Sequence, residues 1–469
     1  MAALTLHPDR LFPPDEATRA IARRLYDRIA SLPIISPHGH TNPAWFAGNE
    51  PFENPAELLI IPDHYVFRML MSTGVPLESL GIPPAGGRST ADPRAVWRLF
   101  AARYHLFRGT PSRLWLDWVF YYVFGLRSRL DAATADHYYD VIDTRLKAPE
   151  FRPRALFEQF NIEVLTTTES PLDTLEHHAS IRRSGWGGRI LTAYRPDNVT
   201  NPESPGFQEA IRAFGAVTGQ DVTTFSGYMQ AHRVRRAFFR AMGATSTDHG
   251  HPDPFTTWLP AEAVEALYRR VTTGTVTPED ARLFRGHMLT EMAGLSAEDG
   301  MVMQLHAGVF RNHNPSLFAR FGADKGADIP VAVDFVHALK PLLDQWGNDP
   351  RLTLILFTLD ETTFSRELAP LAGHYPALRL GPPWWFLDSP DGMARFRAAA
   401  TETAGFYNTV GFNDDTRAFL SIPARHDVAR RADAAYLARL VAEHRIGEDE
   451  AEEIAHDLTY GLVKKAYQL

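Results

Sequence analysis

Leu32-Pro33-Ile34-Ile35-Ser36-Pro37-His38-Gly39-His40 is the stretch from which the fold of this chain is read. A short apolar run, β-branched at Ile34-Ile35, ends in two histidines one residue apart. Side chains alternate along an extended backbone, so residues i and i+2 face the same way and both imidazoles can address one metal ion. Gly39 adds no bulk between them. Imidazoles at a strand end in an α/β protein stand where active sites are built.

Similar runs recur along the chain, each ending in polar residues: Ile162–Leu165, Ile190–Tyr194, Ala244–Ser246, Met301–Leu305, Leu352–Phe357, Leu378–Leu380 and Phe406–Phe412. With Ile34-Ile35 they make eight candidate strands, the fourth and seventh marginal. Amphipathic helical patterns lie between most of them. One follows Pro330, with Val331, Phe335, Val336, Leu339, Leu342 and Leu343 near a helical period and Pro341 placed to kink or split it. Alternating strands and helices predict a parallel α/β sheet, and eight such units fit a (β/α)8 barrel. A doubly wound sheet would want a Gly-rich phosphate loop after the first strand, and His38-Gly39-His40-Thr41-Asn42-Pro43 is not one.

The spacing divides the chain into residues 1–41 (an N-terminal helix and strand one), 42–153 (a helical insertion), 154–427 (the rest of the barrel) and 428–469 (two C-terminal helices breaking near Gly447). The insertion is rich in aromatics, such as Val96-Trp97-Arg98-Leu99-Phe100 and Leu114–Tyr122, which read as its core rather than as a stacking platform.

Composition narrows the chemistry. No cysteine occurs, so thiolate metal sites and disulfides are excluded and His and carboxylate remain as ligands. The net charge of −8 argues against a nucleic-acid partner. No apolar run is long enough to span a membrane, and Met1–Asp15 does not resemble a signal peptide, so a cytoplasmic enzyme is expected.

His38 and His40 need a third ligand. The best placed is Asp415, in Gly411-Phe412-Asn413-Asp414-Asp415-Thr416-Arg417, because the first and eighth strands of a closed barrel are neighbours. Two histidines and a carboxylate with open positions suit one divalent ion of the Zn²⁺ type. The alternative is that Asp414 or Asp415 caps a helix. His306 closes the fifth run and either faces the barrel mouth or is a satisfied core histidine; Asp248-His249-Gly250 is equally ambiguous. Arg195 and Arg417 are anion-binding candidates, or else structural ion pairs. His64 and Tyr65 follow Asp63 early in the insertion, on an expected helix that Asp63 could cap, where capping and packing compete with a functional role.

Together the motifs resemble the uronate (glucuronate) isomerases of the amidohydrolase superfamily. The resemblance rests on His38-Gly39-His40, Asp63-His64-Tyr65 with Arg68, Tyr194-Arg195-Pro196-Asp197, Asp248-His249-Gly250 and Gln304-Leu305-His306 through Arg311-Asn312. It continues through Trp384-Trp385-Phe386 with Asp391-Gly392-Met393, and Asp415-Thr416-Arg417-Ala418-Phe419-Leu420-Ser421. It implies a distorted (β/α)8 barrel with a helical insertion, and interconversion of D-glucuronate with D-fructuronate and of D-galacturonate with D-tagaturonate. The implied metal ligands are His38, His40 and Asp415. The implied catalytic residues are Asp415, Arg417, Tyr65 and His306, with His64, Arg195, Arg417 and Trp385 binding substrate. Tyr65 is expected to have its phenol acidified by Arg417. None of the five lysines ends a predicted strand, so no bridging lysine is available and a single ion is expected. A homo-oligomer without nucleotide cofactor, nucleic-acid or membrane partner is expected. A metal-dependent hydrolase on the same barrel and a non-catalytic sugar-acid binder are the alternatives.

Overall fold

The strands are rich in Val, Ile and Leu because both of their faces are covered, as in a parallel sheet flanked by helices. The computed structural model describes residues 2–469. Its strands are β1 (Ile34–Ser36), β2 (Ile162–Glu169), β3 (Arg189–Tyr194), β4 (Ser246–His251), β5 (Val302–Ala307), β6 (Val309–Phe310), β7 (Ile329–Pro330), β8 (Leu354–Phe357) and β9 (Leu378–Leu380). Seven of these form one sheet in the order β1-β2-β3-β4-β5-β8-β9, and every pair in it is parallel. β6 and β7 make a separate antiparallel pair within the excursion between β5 and β8. Every residue of β5 and β8 is buried.

The expected eighth strand, Phe406–Phe412, does not form a ladder. It meets β9 at a single parallel bridge between Leu380 and Thr409. Gly405 and Gly411 bracket it at φ 67° and 76°, outside the extended region. At Gly411 a Cβ would lie 2.5 Å from the Leu458 carbonyl oxygen, so the chain must turn where the strand would have continued. Beyond it, His40 N donates to Thr416 O at 3.0 Å. A seven-stranded parallel sheet, its edges linked through the irregular segment 408–416, thus replaces the expected eight-stranded barrel.

Two strands also extend further than the apolar runs suggested. β4 includes Asp248 and His249, and β5 includes His306, so these polar residues are part of the ladder rather than of the loops after it. The helix after Pro330 is split, into Phe335–Ala338 and Lys340–Trp346, with Pro341 in the first turn of the second piece. In the tail, Ile422–Ala442 is followed after Gly447 by Glu448–His456 and Leu462–Tyr467, which the π-turn Asp457–Gly461 joins without a break.

Between β1 and β2 the chain forms a run of short helices. Four begin with Pro in the first turn behind a polar cap: Asn42, Asn54, Asp92 and Thr110. The cap's side chain accepts an otherwise free backbone N–H, and proline loses nothing where no donor is needed. Trp97, Phe100, Phe107 and Phe120 are fully buried in a cluster of their own with Phe46 and Tyr138, so the aromatic stripe is core. Trp97 Nε1 is satisfied by the Ala135 carbonyl at 2.9 Å. No helix among the described residues is long and apolar enough to cross a membrane.

Candidate active site

At the ends of β1, β3, β4 and β5 lies a cavity of about 740 Å³. His38, His40, His64, Tyr65, Arg195, His306, Trp385, Asp415 and Arg417 all line it, so residues up to 379 positions apart in the chain meet in one place.

Asp415 is the hub. Its Oδ1 lies 3.1 Å from His40 Nε2 and 3.4 Å from His38 Nε2. The rings of His38 and His306 stack at 4.7 Å, and those of His38 and His40 stand edge-on at 5.3 Å. His38, His306 and Asp415 each offer a ligand atom within 4.8 Å of the other two. His306 therefore joins the predicted set, and His40 flanks it through Asp415. Burial works against charge on Asp415, yet the adjoining histidines hold its carboxyl well below the usual range. Burial likewise disfavours charge on His38, but Asp248 and Asp415 outweigh it and raise its pKa. His40 and His306 move the other way, because burial prevails.

The capping alternative for the Asp414-Asp415 pair does not hold. Ala418 N is capped by Thr416 Oγ1 at 3.0 Å, and Asp414 instead meets His426 Nε2 at 3.0 Å. Asp415 sits at φ 35°, a region that L-residues other than glycine rarely occupy. Asn312, Asp324 and Trp385, which also line the cavity, share positive φ at 54°, 60° and 52°. Such backbone costs about 1–3 kcal/mol per residue and persists only where its surroundings enforce it.

Behind the histidines runs a chain of polar contacts. His306 Nδ1 meets Asp248 Oδ1 at 2.7 Å, Asp248 Oδ2 meets Arg195 Nη1 at 3.1 Å, and Arg195 Nε donates to Asp197 Oδ2 at 2.8 Å. Arg195 is thus both a structural ion pair and a cavity-lining cation. Burial opposes its charge, but Asp248 and Asp197 keep it firmly protonated. Gly250 is required here, since a Cβ would come within 2.3 Å of Arg195 Nη2. His249 meets Thr247 Oγ1 at 3.1 Å rather than Asp248's partners, and groups with His251 and Asp197 at the far end of this chain.

His64 and Tyr65 begin the helix His64–Met71, capped by Asp63 through Tyr65 N at 2.8 Å. Capping and cavity lining therefore coexist. Burial, with Arg417 next, pushes the His64 imidazole down to about 3. The expected acidification of Tyr65 by Arg417 is overturned: burial drives the phenol well above its ordinary value, and the leading cation near it is Arg425. Arg417 is engaged elsewhere, with Nη2 at 2.9 Å from Asp324 Oδ2. A second half-exposed arginine, Arg311, pairs with Asp328 at 2.8 Å. Sequence reasoning passed over Asp324, Asp328, Asp388 and Arg425. The first two lie in a loop without periodic pattern, and Arg425 lies in a helix, where an arginine ordinarily reads as solvated.

The donor set fits a divalent cation. His306 Nε2 and Asp415 Oδ1 are buried without hydrogen-bond partners, a costly state that an ion at the His38–His306–Asp415 group would relieve. Ligand atoms of a tetrahedral zinc ion lie roughly 3.4 Å apart, close to the Asp415–His38 and Asp415–His40 separations. No thiolate is present to favour a softer metal.

A parallel α/β sheet carrying histidines, a carboxylate and arginines at its strand ends defines an enzyme site able to combine metal binding with proton transfer. The glucuronate isomerase profile matches residues 16–467, and the chain belongs to that family of aldose–ketose isomerases. It is 67% identical over 470 residues to a uronate isomerase of Xanthomonas axonopodis pv. citri, covering 100% of this chain and 99% of that one. The crystal structure of glucuronate isomerase from Caulobacter crescentus superposes with a TM-score of 0.98 at 60% identity, covering 99% of this chain and 97% of that one. A uronate isomerase structure from Thermotoga maritima gives 0.92 at 26% identity, covering 99% of each.

Proposed function

We propose that the chain interconverts D-glucuronate with D-fructuronate, and D-galacturonate with D-tagaturonate, by proton transfer through an enediolate. The observation that carries this is the placement of an ionised carboxylate, Asp415, and a protonated phenol, Tyr65, on one arginine-lined cavity.

Ring opening takes the proton from the anomeric hydroxyl and delivers one to the ring oxygen. The open aldehyde then loses the C2 proton to give the enediolate, a proton passes from O2 to O1, and one returns at C1, so the net proton balance is zero. Asp415, held ionised, accepts a proton; Tyr65, held neutral, donates one to a substrate oxygen. Neutral His64, its Nε2 without a hydrogen-bond partner, is available to orient a substrate hydroxyl. Arg417 and Arg195, which both line the cavity, supply positive charge for the C6 carboxylate and the developing enediolate. Trp385, beside His64 with centroids 5.4 Å apart, walls the cavity.

His38, His306 and Asp415, with His40 beside them, would hold a single divalent ion, for which Zn²⁺ is our assignment. When bound it supplies Lewis acidity toward a substrate oxygen. The acidic net charge of −8 is consistent with a small sugar acid, and no nucleic acid, as partner.

The decisive assay incubates the purified chain with D-glucuronate and measures ketose formation. An isomerase yields ketose and consumes no water. Hydrolysis products, or binding without turnover, would overturn the assignment.

A further inference from the structure

We propose that Arg425 is the positioning residue that fixes the Tyr65 ring relative to the Asp414–Asp415 backbone; this rests on the proton-transfer roles given above to Tyr65 and Asp415. Arg425 is 1% exposed, in the first turn of the helix Ile422–Ala442, and belongs to no ligand or cavity-lining set. Its guanidinium carbon lies 3.5 Å from the Trp115 ring centre and 5.4 Å from that of Tyr65. The Tyr65 and Trp115 rings meet edge-on at 5.9 Å. Both rings come from the helical run between β1 and β2, so one C-terminal cation orders two aromatic side chains from another part of the chain.

The same guanidinium reaches the residue that precedes the other proton-transfer group, Asp415. Nη1 lies 2.5 Å from Asp388 Oδ2 and 3.5 Å from the Asp414 carbonyl oxygen, and Nε donates to Ser421 Oγ at 3.1 Å. Asp414 is held at its other end by His426, so the residue before the left-handed Asp415 is fixed through both side chain and carbonyl. A conformation as unfavourable as that of Asp415 needs such over-determination.

A purely structural ion pair would have a different form. Burying an arginine costs several kcal/mol, which a bidentate clamp on its carboxylate best offsets. Here the contact is made through one carboxylate oxygen, and Asp388 Oδ1 is left buried without a hydrogen-bond partner. Burial raises the Asp388 carboxyl to about 7 despite the arginine. Arg425 thus lies against the Trp115 ring and the Asp414 carbonyl while its pairing with Asp388 stays one-sided. Arg417, which is nearer in sequence to Asp415, cannot substitute, because Asp324 holds it.

The test is a double-mutant cycle on the full chain with D-glucuronate. Arg425→Lys keeps the charge and loses the planar stack, and should lower kcat about 10- to 100-fold with KM within about threefold. In a Tyr65→Phe background the same change should cost less than about threefold, because the group it positions is gone. Asp388→Asn, which unfixes the guanidinium without removing it, should lower kcat in the same Tyr65-dependent way and serves if Arg425→Lys fails to fold. An equal loss from Arg425→Lys or Asp388→Asn with and without the Tyr65 hydroxyl would overturn the positioning role alone. Near wild-type turnover by Tyr65→Phe would overturn the role of Tyr65 and the proposal with it.

Discussion

His306 Nδ1 and Asp248 Oδ1 stand 2.7 Å apart, both residues buried. The carboxylate accepts from Nδ1–H, so the lone pair of the neutral ring falls on Nε2, the atom without a hydrogen-bond partner. Asp248 in turn leans on Arg195, and Arg195 on Asp197. Asp248→Asn should weaken divalent-metal affinity by about 10- to 100-fold while leaving the fold intact. Competition against a chromogenic chelator measures this; unchanged affinity would remove His306 from the ligand set.

The ligand sets overlap at His38 and Asp415. Elemental analysis of the purified chain should find one divalent metal per chain. His38→Asn should lose it on mild chelation, because His38 belongs both to the expected trio and to the cluster with His306. A second equivalent of tightly held metal would contradict a single-ion site.

Asp415→Asn removes the proposed proton acceptor, and Arg417→Met removes a cavity cation. General acid–base groups contribute about 10²- to 10⁴-fold, so each variant should lose at least about 100-fold in kcat/KM. Folded protein with near wild-type turnover from both would exclude the proposed roles.

Arg417 depends on Asp324, which sits at positive φ beside the tight turn at Gly326. A Cβ at Gly326 would lie 2.7 Å from Arg68 Cβ, so this loop closes directly on the helix that carries His64 and Tyr65. Gly326→Val should push the loop outward and lower kcat/KM about 10-fold or more, the size of effect expected when binding groups are misplaced by an ångström. Stability should fall by no more than a few kcal/mol, as for other single substitutions.

Buried neutral histidines make stability depend on pH. His178 accepts burial through Thr167 Oγ1 at 2.9 Å, and burial pushes its pKa down to about 4. A folded pKa below the unfolded one means that the unfolded chain takes up the proton first. His178 therefore costs no stability above pH 6.5, and a growing amount as pH falls from 6.5 toward 4, about 1.4 kcal/mol per pH unit. Nearby Glu169, raised by burial to about 7, runs oppositely, gaining stability as pH falls below 7. His178→Gln should lower the slope of unfolding free energy between pH 4.5 and 6 by about one proton. Urea unfolding across that range checks it, and an unchanged slope would contradict the burial argument.

Much of the fold was legible locally. Ile34-Ile35, Ile162–Leu165, Ile190–Tyr194 and Leu354–Phe357 are β-branched or apolar runs covered on both sides, and they became strands where their composition placed them. Phe406–Phe412, which contains Asn408, Thr409 and Gly411, lost its ladder to turns at Gly405 and Gly411, and at Gly411 the Leu458 carbonyl leaves no room for a Cβ. Asp248 and His306 were harder to place, because polarity ends a hydrophobic pattern without ending a strand.

The sequence by itself determined the donor chemistry: no thiol, two histidines at one strand end, and arginine in place of lysine, since these are properties of residue type and short-range alternation. The tertiary structure alone decided which charges are spent. Arg417 is taken by Asp324, Arg195 is shared between Asp197 and Asp248, His306 comes within reach of His38 and Asp415, and Arg425 rather than Arg417 lies against Tyr65. Apart from Arg195 and Asp197, which are two positions apart, those pairings join residues tens to hundreds of positions apart. Their energies come from burial and distances of 3–5 Å, which no local pattern encodes.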